Sequence, residues 1–443
     1  MSKHFRPWNI DQTLLLPPSV QDFVSKDHVS RFIVGLARES LDLRAITGSY
    51  VSGLGQPPFD PRMMVALLLH GYASGLYSSR RIARACCERN DFVMIVALDP
   101  PDFRTISDFR KRHLKALGEL FLQVLKLCET AGLVKLGHVA LDGTKIKANA
   151  SKHKAMSYER MKKREAELKA EVACMLAAAE AADAQEDETF GKDKRGDEMP
   201  DWASDKKKRL AKIQEAMAAL EAEAKLAAEE ERRIEAEKEQ QRNAEGRKKP
   251  GKPAAPPSDQ PDPKAQRNFT DPESRIMKSK EGFVQAYNAQ AAVDAEAQII
   301  VAHELTQCGS DQGQLVPLVE AIENNLGRKP QQASADSGYC SEPNLEALVA
   351  RGIDGYVAPG RAKHPAAVNG KAGPLTQLMR KKIDDGGFET PYRLRKQVVK
   401  PVFGQIKQAR DFRQFLLRGV KKVRAEWAMI CTTHNLLKLF TLA

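Results

Sequence analysis

Two short segments far apart in the chain each carry one aspartate followed by glycine and hydroxyl residues. Asp142 and Asp336 each stand where a short apolar run ends. A single aspartate at such a place more often serves a turn. Two of them at the ends of neighbouring strands could meet, and carboxylates are the hard oxygen ligands that Mg²⁺ or Mn²⁺ prefers. The pair therefore suggests a divalent-metal site, and turn formation is the competing interpretation.

The charge of the chain indicates which substrate such a site would serve. Two cations roughly 3.5–4 Å apart, bridged by carboxylates, stabilise an in-line displacement at phosphorus. The 443 residues carry a formal net charge of +12, which favours a polyanionic partner such as nucleic acid. A basic soluble protein without such a partner is the alternative. Between Tyr392 and Ala425, however, eleven basic residues accompany one acid, Asp411, so the charge is clustered.

The elements that would position the two aspartates are predicted from short apolar runs and helical periodicity. The run from His138 to Leu141 reads as a strand that ends at Asp142, and Lys145 and Lys147 follow at alternate positions that share one face. Strands and helices then alternate, which predicts an α/β fold. Further strands are expected at 283–292, 298–305, 331–335 and 352–357, with helices at 311–325, 342–350 and 396–418.

Residues 1–132 are predicted to be helical. A long helix is expected from Thr105, with apolar residues on one face as far as Cys128. A shorter helix carries Arg80 and Arg81, which would either contact DNA or form a solvated basic face. Both readings remain open.

Residues 155–267 differ sharply in composition from their surroundings. Alanine, glutamate, lysine and arginine dominate as far as about residue 247, and apolar residues recur at alternating spacings of three and four, from Leu168 and again from Leu210. This pattern predicts two long helices folded back as an antiparallel hairpin. A coiled coil between chains, or partial disorder, is the alternative. The proline-rich residues 248–266 read as a linker.

Targeting and redox signals are few. No apolar run is long enough to span a bilayer, and the first residues lack the apolar core of a secretion signal. The seven cysteines include no CxxC pair and no zinc-type spacing. We therefore expect a cytoplasmic protein with reduced cysteines.

Several ordered motifs resemble bacterial insertion-sequence transposases of the DDE class. The resemblance covers almost the whole chain and implies a ribonuclease-H-like fold, with a central mixed sheet flanked by helices. It suggests a helical N-terminal domain (1–132), a catalytic domain (133–154 and 268–443) and a helical, coiled-coil-like insertion with its linker (155–267). The matching segments are 138–151, 282–290, 335–339, 401–407 and 430–438.

The resemblance assigns roles to individual residues. Asp142 and Asp336 take the places of the first two catalytic acids, on the first strand and at the end of the fourth. Tyr392, Arg395 and Lys407 match the outer members of a late signature. The family has a glutamate seven residues before that lysine, and this chain has Lys400.

Lys400 is expected to impair catalysis. Because Pro401 follows it, residue 400 is predicted to lie at a helix N-terminus, where a positive charge is disfavoured by roughly 0.3–1 kcal/mol. A lysine would also repel the cations that a glutamate would bind.

The resemblance implies metal-dependent cleavage and strand transfer at insertion-sequence ends, with two Mg²⁺ (or Mn²⁺) ions in an active form. Double-stranded DNA is the implied partner, with a homo-oligomer on DNA, no membrane, and a cytoplasmic, nucleoid-associated location. The alternatives are a catalytically dead DNA-binding copy, and a helical hairpin that serves assembly. The predicted catalytic positions are Asp142, Asp336 and Lys400, and the predicted DNA-binding residues are Lys145, Lys147, Arg80, Arg81, Tyr392, Arg395, Lys407 and Arg410.

Overall fold

The computed structural model describes residues 19–51, 57–190, 201–244, 256–279, 282–360, 373–387 and 390–442. Its centre is a mixed six-stranded sheet. Strand β1 pairs antiparallel with β5 on one side and parallel with β7 on the other, and β7 pairs parallel with β8. Strands β4 and β6 pair with successive parts of the other edge of β5. This is the ribonuclease-H-like arrangement that the resemblance implied. The strands are β1 (His138–Lys147), β2 (Ala155–Ser157), β3 (Gln266–Asn268), β4 (Arg275–Ser279), β5 (Gly282–Asp294), β6 (Ile300–Thr306), β7 (Gln332–Ala335) and β8 (Asp354–Val357).

Strand β1 is longer than the sequence suggested. It was expected to stop at Asp142, but it continues through Gly143 to Lys147 because β5 pairs with it along its length. Asp142 therefore lies in the middle of a strand, where turn formation is excluded. The predicted β5–β6 hairpin around Asp294 is present.

Helices cover the sheet and bury an extensive apolar core. The helix Val420–Leu442 packs against β6 and against two helices of the N-terminal part, Pro61–Ala73 and Leu114–Thr130. Most of its residues are buried. The helices in this part are α10 (Leu315–Leu326), α11 (Glu342–Ala350), α12 (Pro374–Asp385), α13 (Pro391–Gly404) and α14 (Val420–Leu442).

The N-terminal part is helical, as predicted. Asp60 caps one helix with Pro61 in its first turn. The long helix expected from Thr105 is instead two helices, because the chain leaves helical geometry at His113. The helices are α1 (Val29–Gly35), α2 (Arg44–Thr47), α3 (Pro61–Ala73), α4 (Ser79–Glu88), α5 (Asn90–Val96), α6 (Phe103–Arg112) and α7 (Leu114–Thr130).

The insertion forms a helical hairpin, α8 (Tyr158–Phe190) and α9 (Asp201–Ala244). The helices run antiparallel, because Tyr158 bonds Glu221 near the base and Lys206 pairs with Glu171 further along. Leu168 and Ile213 belong to the apolar contact between them. The short β2–β3 pair closes the base of the hairpin.

All seven cysteines are free thiols. Within the described ranges, helices that combine the length and apolarity needed to cross a bilayer are absent.

Candidate active site

The first candidate carboxylate, Asp142, is held by an arginine from α13. Arg395 Nη1 lies 3.5 Å from Asp142 Oδ2, and the two side chains are 7% and 14% exposed. The Tyr392 ring lies 5.9 Å from the centre of the guanidinium group. Both residues were predicted to contact DNA, but the structure places Arg395 beneath the surface and against the carboxylate.

Asp142 has an unusual electrostatic environment. Burial raises the pKa of its carboxyl group, Arg395 opposes this rise, and the neighbouring charge of Asp336 adds to it. The backbone N–H of Gly143 and the charge of Lys400 both act to lower this pKa. The net rise shows that the cations around Asp142 do not fully compensate its desolvation and its like-charged neighbour.

The second carboxylate comes from the parallel neighbour of β1. Ala140 on β1 pairs with Ser334 on β7, and Asp142 and Asp336 each follow two residues later. Alternate residues of a strand share a face, so this register brings both aspartates to the same row of the sheet. Asp336 directly follows β7, where its carboxylate accepts a hydrogen bond from the Gly338 N–H at 2.9 Å.

Lys400 is exposed and lies within α13, four residues before the end of that helix. The prediction that it stands at a helix N-terminus is wrong, and the helix-dipole argument against a lysine there falls with it. Its charge still acts on Asp142. Position 400 therefore lies within electrostatic reach of Asp142.

The proline that misled the prediction is accommodated by a contact from another part of the chain. Pro401 lies inside α13, where its missing N–H leaves the carbonyl of Gln397 without its usual helical donor. Gln298 Nε2, from the turn between β5 and β6, donates to that carbonyl at 3.1 Å. A π-helical turn, Gln405–Ala409, then follows. Such turns are often found at functional sites.

Lys407, in this π-helical turn, contacts β1. Its Nζ donates to the Thr144 hydroxyl, and to the Lys145 carbonyl at 3.0 Å. Thr144 lies two residues after Asp142 and so shares its face of the strand. Lys407 was predicted to position DNA, and in this structure it links α13 to the strand that carries Asp142.

The opposite face of β1 meets a polar network that sequence reasoning underrated. Asp311, just before α10, accepts hydrogen bonds from Asn288 Nδ2 at 2.6 Å and from Gln290 Nε2 at 2.7 Å. Lys145 Nζ lies 3.3 Å from the same carboxylate. The two amides are alternate residues of β5, opposite Lys145 and Gly143 of β1. The missed signal was an aspartate at the start of the next helix.

The remaining predicted DNA-binding residues differ in exposure. Arg80 and Arg81 are exposed on α4, and Lys147 is exposed at the end of β1. Arg410 is 4% exposed and donates to the Thr433 hydroxyl and the Ile430 carbonyl. Its predicted place on a basic surface is wrong, because the turn after α13 directs it into the core.

An exposed basic face does exist on α13. Arg393, Lys396 and Lys400 recur at spacings of three and four and are all exposed, while Arg395 and Val399 are buried. Residues at these spacings lie on one side of a helix. The face adjoins the side of the sheet that carries Asp142.

The donor set suits a hard cation only in part. Asp142 and Asp336 offer oxygen ligands of the type that Mg²⁺ or Mn²⁺ takes. Among the described residues, no group of three or more histidine, cysteine, aspartate or glutamate side chains has an arrangement that could hold a metal. The two aspartates therefore fit one ion that keeps several waters, and the third carboxylate needed to bridge a second ion is missing.

Two family models match the chain. Residues 18–112 match one described as "Transposase domain (DUF772)", and residues 361–440 match one described as "Transposase DDE domain". Neither a curated protein nor a solved structure gives a significant match. The DDE transposase domain implies dependence on a divalent metal and DNA as the partner. Together with the ribonuclease-H-like sheet, the two matches support an insertion-sequence transposase of the DDE class.

Proposed function

We propose that this transposase cleaves and joins DNA at its element's ends through Asp142 and Asp336, with activity strongly reduced by Lys400. The observation that carries the proposal is the register of β1 and β7, which aligns the two aspartates on neighbouring parallel strands. The electrostatic influence of Asp336 on Asp142 supports it independently. Two aligned carboxylates without a bound cation repel each other, and a divalent ion relieves that repulsion.

The chain's own residues have defined roles in this reaction. Asp142 and Asp336 would hold Mg²⁺ or Mn²⁺, which would neutralise phosphate charge and activate the attacking hydroxyl group. Arg395 fixes the Asp142 carboxylate by its 3.5 Å contact and opposes the rise in the pKa of that group. Lys407 fixes the strand two residues further on through Thr144. In the first step water would attack the phosphorus at the element's end, the bond from phosphorus to the 3′ oxygen would break, and a 3′ hydroxyl would leave. In the second step that hydroxyl would attack a phosphorus of target DNA and displace the 3′ oxygen of the target strand.

DNA would approach over the exposed basic face of α13. Arg393, Lys396 and Lys400 offer cations beside the carboxylates, and phosphate contacts of this kind position a duplex without reading its sequence. Arg80 and Arg81 on α4 extend the proposal to the helical N-terminal part. The division into domains at 1–132, 133–154 with 268–443, and 155–267 is part of the same proposal, as are a homo-oligomer on DNA and a nucleoid-associated location.

Lys400 would change the metal content of the site. In a fully active form we propose two ions, the second held by a glutamate at position 400. With lysine there, one ion and the lysine ammonium group share the site. The lysine can contact phosphate but cannot activate a nucleophile while it is protonated. Binding to DNA would therefore persist while cleavage falls.

The test is cleavage of DNA that carries the element's ends, by the chain as it stands and by Lys400→Glu, in Mg²⁺ and in Mn²⁺. We expect cleavage to rise strongly in the variant and to vanish in Asp142→Ala. Equal cleavage by both proteins would refute the role given to position 400. Binding with a steep salt dependence, but without cleavage by either protein, would favour the catalytically dead DNA-binding copy.

A further inference from the structure

The buried polar network on the far side of β1 has no place in the proposed reaction so far. Asp311 lies at its centre and bonds to residues on two strands. Besides the two amides of β5, it pairs with Lys145, at 3.3 and 3.4 Å from its two oxygens. Asp311 thus receives four contacts from three donor groups, two from Lys145 and one from each amide.

The network reaches the turn that carries Asp336. The Nε2 of Gln290 donates a hydrogen bond to Asp311, and the Oε1 of Gln290 accepts a hydrogen bond from the Tyr339 hydroxyl. Tyr339 is fully buried and closes the short helical turn that Asp336 begins. The chain of contacts from Asp311 to Gln290 to Tyr339 therefore fixes the backbone three residues after the second carboxylate.

Two glycines show how closely Asp311 approaches both aspartates. A Cβ on Gly143, the neighbour of Asp142, would lie 2.7 Å from Asp311 Oδ1 and would also clash with the Gln290 amide. A Cβ on Gly338 would lie 3.0 Å from Asp336 Oδ1 and 3.5 Å from Asp311 Oδ2. Gly143 therefore leaves space that the Asp311 carboxylate and the Gln290 amide fill, and at Gly338 the tightest neighbour is Asp336 itself, with Asp311 in ordinary contact.

One polar atom of this network has no partner. Asn288 is fully buried, and its Oδ1 makes no hydrogen bond although its Nδ2 donates to Asp311 and to the Cys308 carbonyl. An unsatisfied buried oxygen costs about 1–3 kcal/mol. A network kept despite such a cost is better explained by its effect on the neighbouring site than by its contribution to stability.

We propose that Asp311 is a positioning residue of the metal site: through Gln290 and Tyr339 it sets the separation of Asp142 and Asp336 from behind the sheet. This rests on the function proposed above. Residues that orient metal ligands typically change metal affinity by roughly 10–100-fold when they are replaced. Asp311→Asn keeps the size of the side chain but removes its charge, so Lys145 loses its ionic partner and the three donor groups compete for one acceptor oxygen.

The test is Mn²⁺ binding by the full chain carrying Lys400→Glu, measured from the loss of the free-ion paramagnetic resonance signal. Asp311→Asn should weaken Mn²⁺ binding by roughly 10-fold or more, and Tyr339→Phe, which removes one hydroxyl group, should weaken it in the same direction. Asp311→Glu, which restores the charge, should recover part of the affinity. DNA binding without metal should stay unchanged in all three.

Asp294 provides the matched control. Asp294 is a buried aspartate at the C-terminal end of β5, and its carboxylate accepts a hydrogen bond from the Leu136 N–H at 2.7 Å. Asp294→Asn should lower the unfolding temperature without changing Mn²⁺ affinity. Unchanged affinity in both Asp311→Asn and Tyr339→Phe would overturn the positioning role. If Asp142→Ala leaves Mn²⁺ binding intact, the proposed metal site itself fails, and the positioning role fails with it.

Discussion

Replacing Lys400 with glutamate is the most informative single change in this protein. Because the side chain is exposed on α13, the substitution alters charge near the two aspartates without disturbing the core. The charge at this position changes by two units, from +1 to −1. Position 400 lies within the helix, so the helix dipole adds little to the difference.

The size of the effect follows from Coulomb's law. For a divalent cation about 6 Å away in a medium as polar as water, a two-unit change in charge is worth roughly 3 kcal/mol. Each 1.4 kcal/mol corresponds to about a tenfold change in affinity, so metal binding should tighten by about 100-fold. Salt screens exposed charges over about 8 Å at physiological ionic strength, so the gain should shrink as salt is added.

An intermediate variant separates the two contributions of glutamate. Lys400→Gln removes the positive charge without adding a ligand, so pure electrostatics predicts half of the gain in free energy that glutamate gives. If the glutamate carboxylate also binds the metal directly, Lys400→Gln should give less than half of the gain in binding free energy that Lys400→Glu gives. Lys396→Glu, one turn earlier on the same exposed face, makes the same change in charge further along the helix and serves as the control.

The assay is Mn²⁺ titration of metal binding, without DNA, for the parent chain and the three variants. We expect Mn²⁺ to bind most tightly to Lys400→Glu and less tightly to Lys400→Gln. Lys396→Glu should bind Mn²⁺ about as weakly as the parent. If Lys396→Glu and Lys400→Glu tighten metal binding equally, position 400 has no special relation to the aspartates. That result would refute the reasoning.

Three further predictions concern the surroundings of the site and one concerns the insertion. Arg395→Ala should lower the metal-free unfolding free energy in urea by roughly 3–5 kcal/mol, because it leaves a buried carboxylate unpaired; a loss below 1 kcal/mol would contradict the buried pair. Because the folded-state pKa of Asp142 is raised above 3.8, its stabilising contribution is present below pH 3.8 and is lost as pH rises through the folded value. Denaturation at several pH values should therefore show the metal-free parent losing stability relative to Asp142→Asn, and parallel curves would exclude this. Gln298→Ala should lower the free energy of unfolding in urea by about 0.5–1.5 kcal/mol, because the hydrogen bond that it removes is exposed, and by clearly less in a Pro401→Ala background, where the Gln397 carbonyl regains its helical donor. Deleting residues 155–247 should change the oligomeric state on DNA, measured by light scattering, if the hairpin serves assembly, and an unchanged state would reject that role.

Local pattern was sufficient for most of the sheet and for the hairpin. Strands β5, β6 and β7 could be predicted because apolar runs bounded by turn residues are a clear sequence signal for strands. The run after Asp142 was missed because Gly143 looks like the start of a turn. Pairing with the long strand β5 overrides that local preference, and such pairing depends on residues nearly 150 positions away.

The helix around position 400 shows a different limit of sequence reasoning. Proline favours the first turn of a helix, so Pro401 was a reasonable place to begin one. The structure begins the helix at Pro391 instead. It keeps Pro401 inside because the Gln298 amide supplies the donor that proline removes. That contact comes from a distant turn, and nothing in the neighbourhood of Pro401 reveals it.

The hydrogen-bond network of Asp311 could not be predicted from the sequence either, because it depends on how the strands pair. Its three donor groups come from two strands, and only the antiparallel register of β1 with β5 brings Lys145 opposite Asn288. Gly143 stands opposite Gln290 in the same register. A sequence shows each of these residues as an ordinary polar or small position. The network is visible only once the strands are paired.

The departure at position 400 is confined to one exposed side chain. Arg395 holds Asp142, Gln298 supports the helix around Pro401, and Lys407 ties that helix to β1. None of these contacts uses the side chain of Lys400. The scaffold that would place a glutamate at this position is therefore intact, and lysine and glutamate should be accommodated with the same fold. We therefore expect the single substitution Lys400→Glu to restore cutting, through its charge, through direct ligation of a metal ion, or through both.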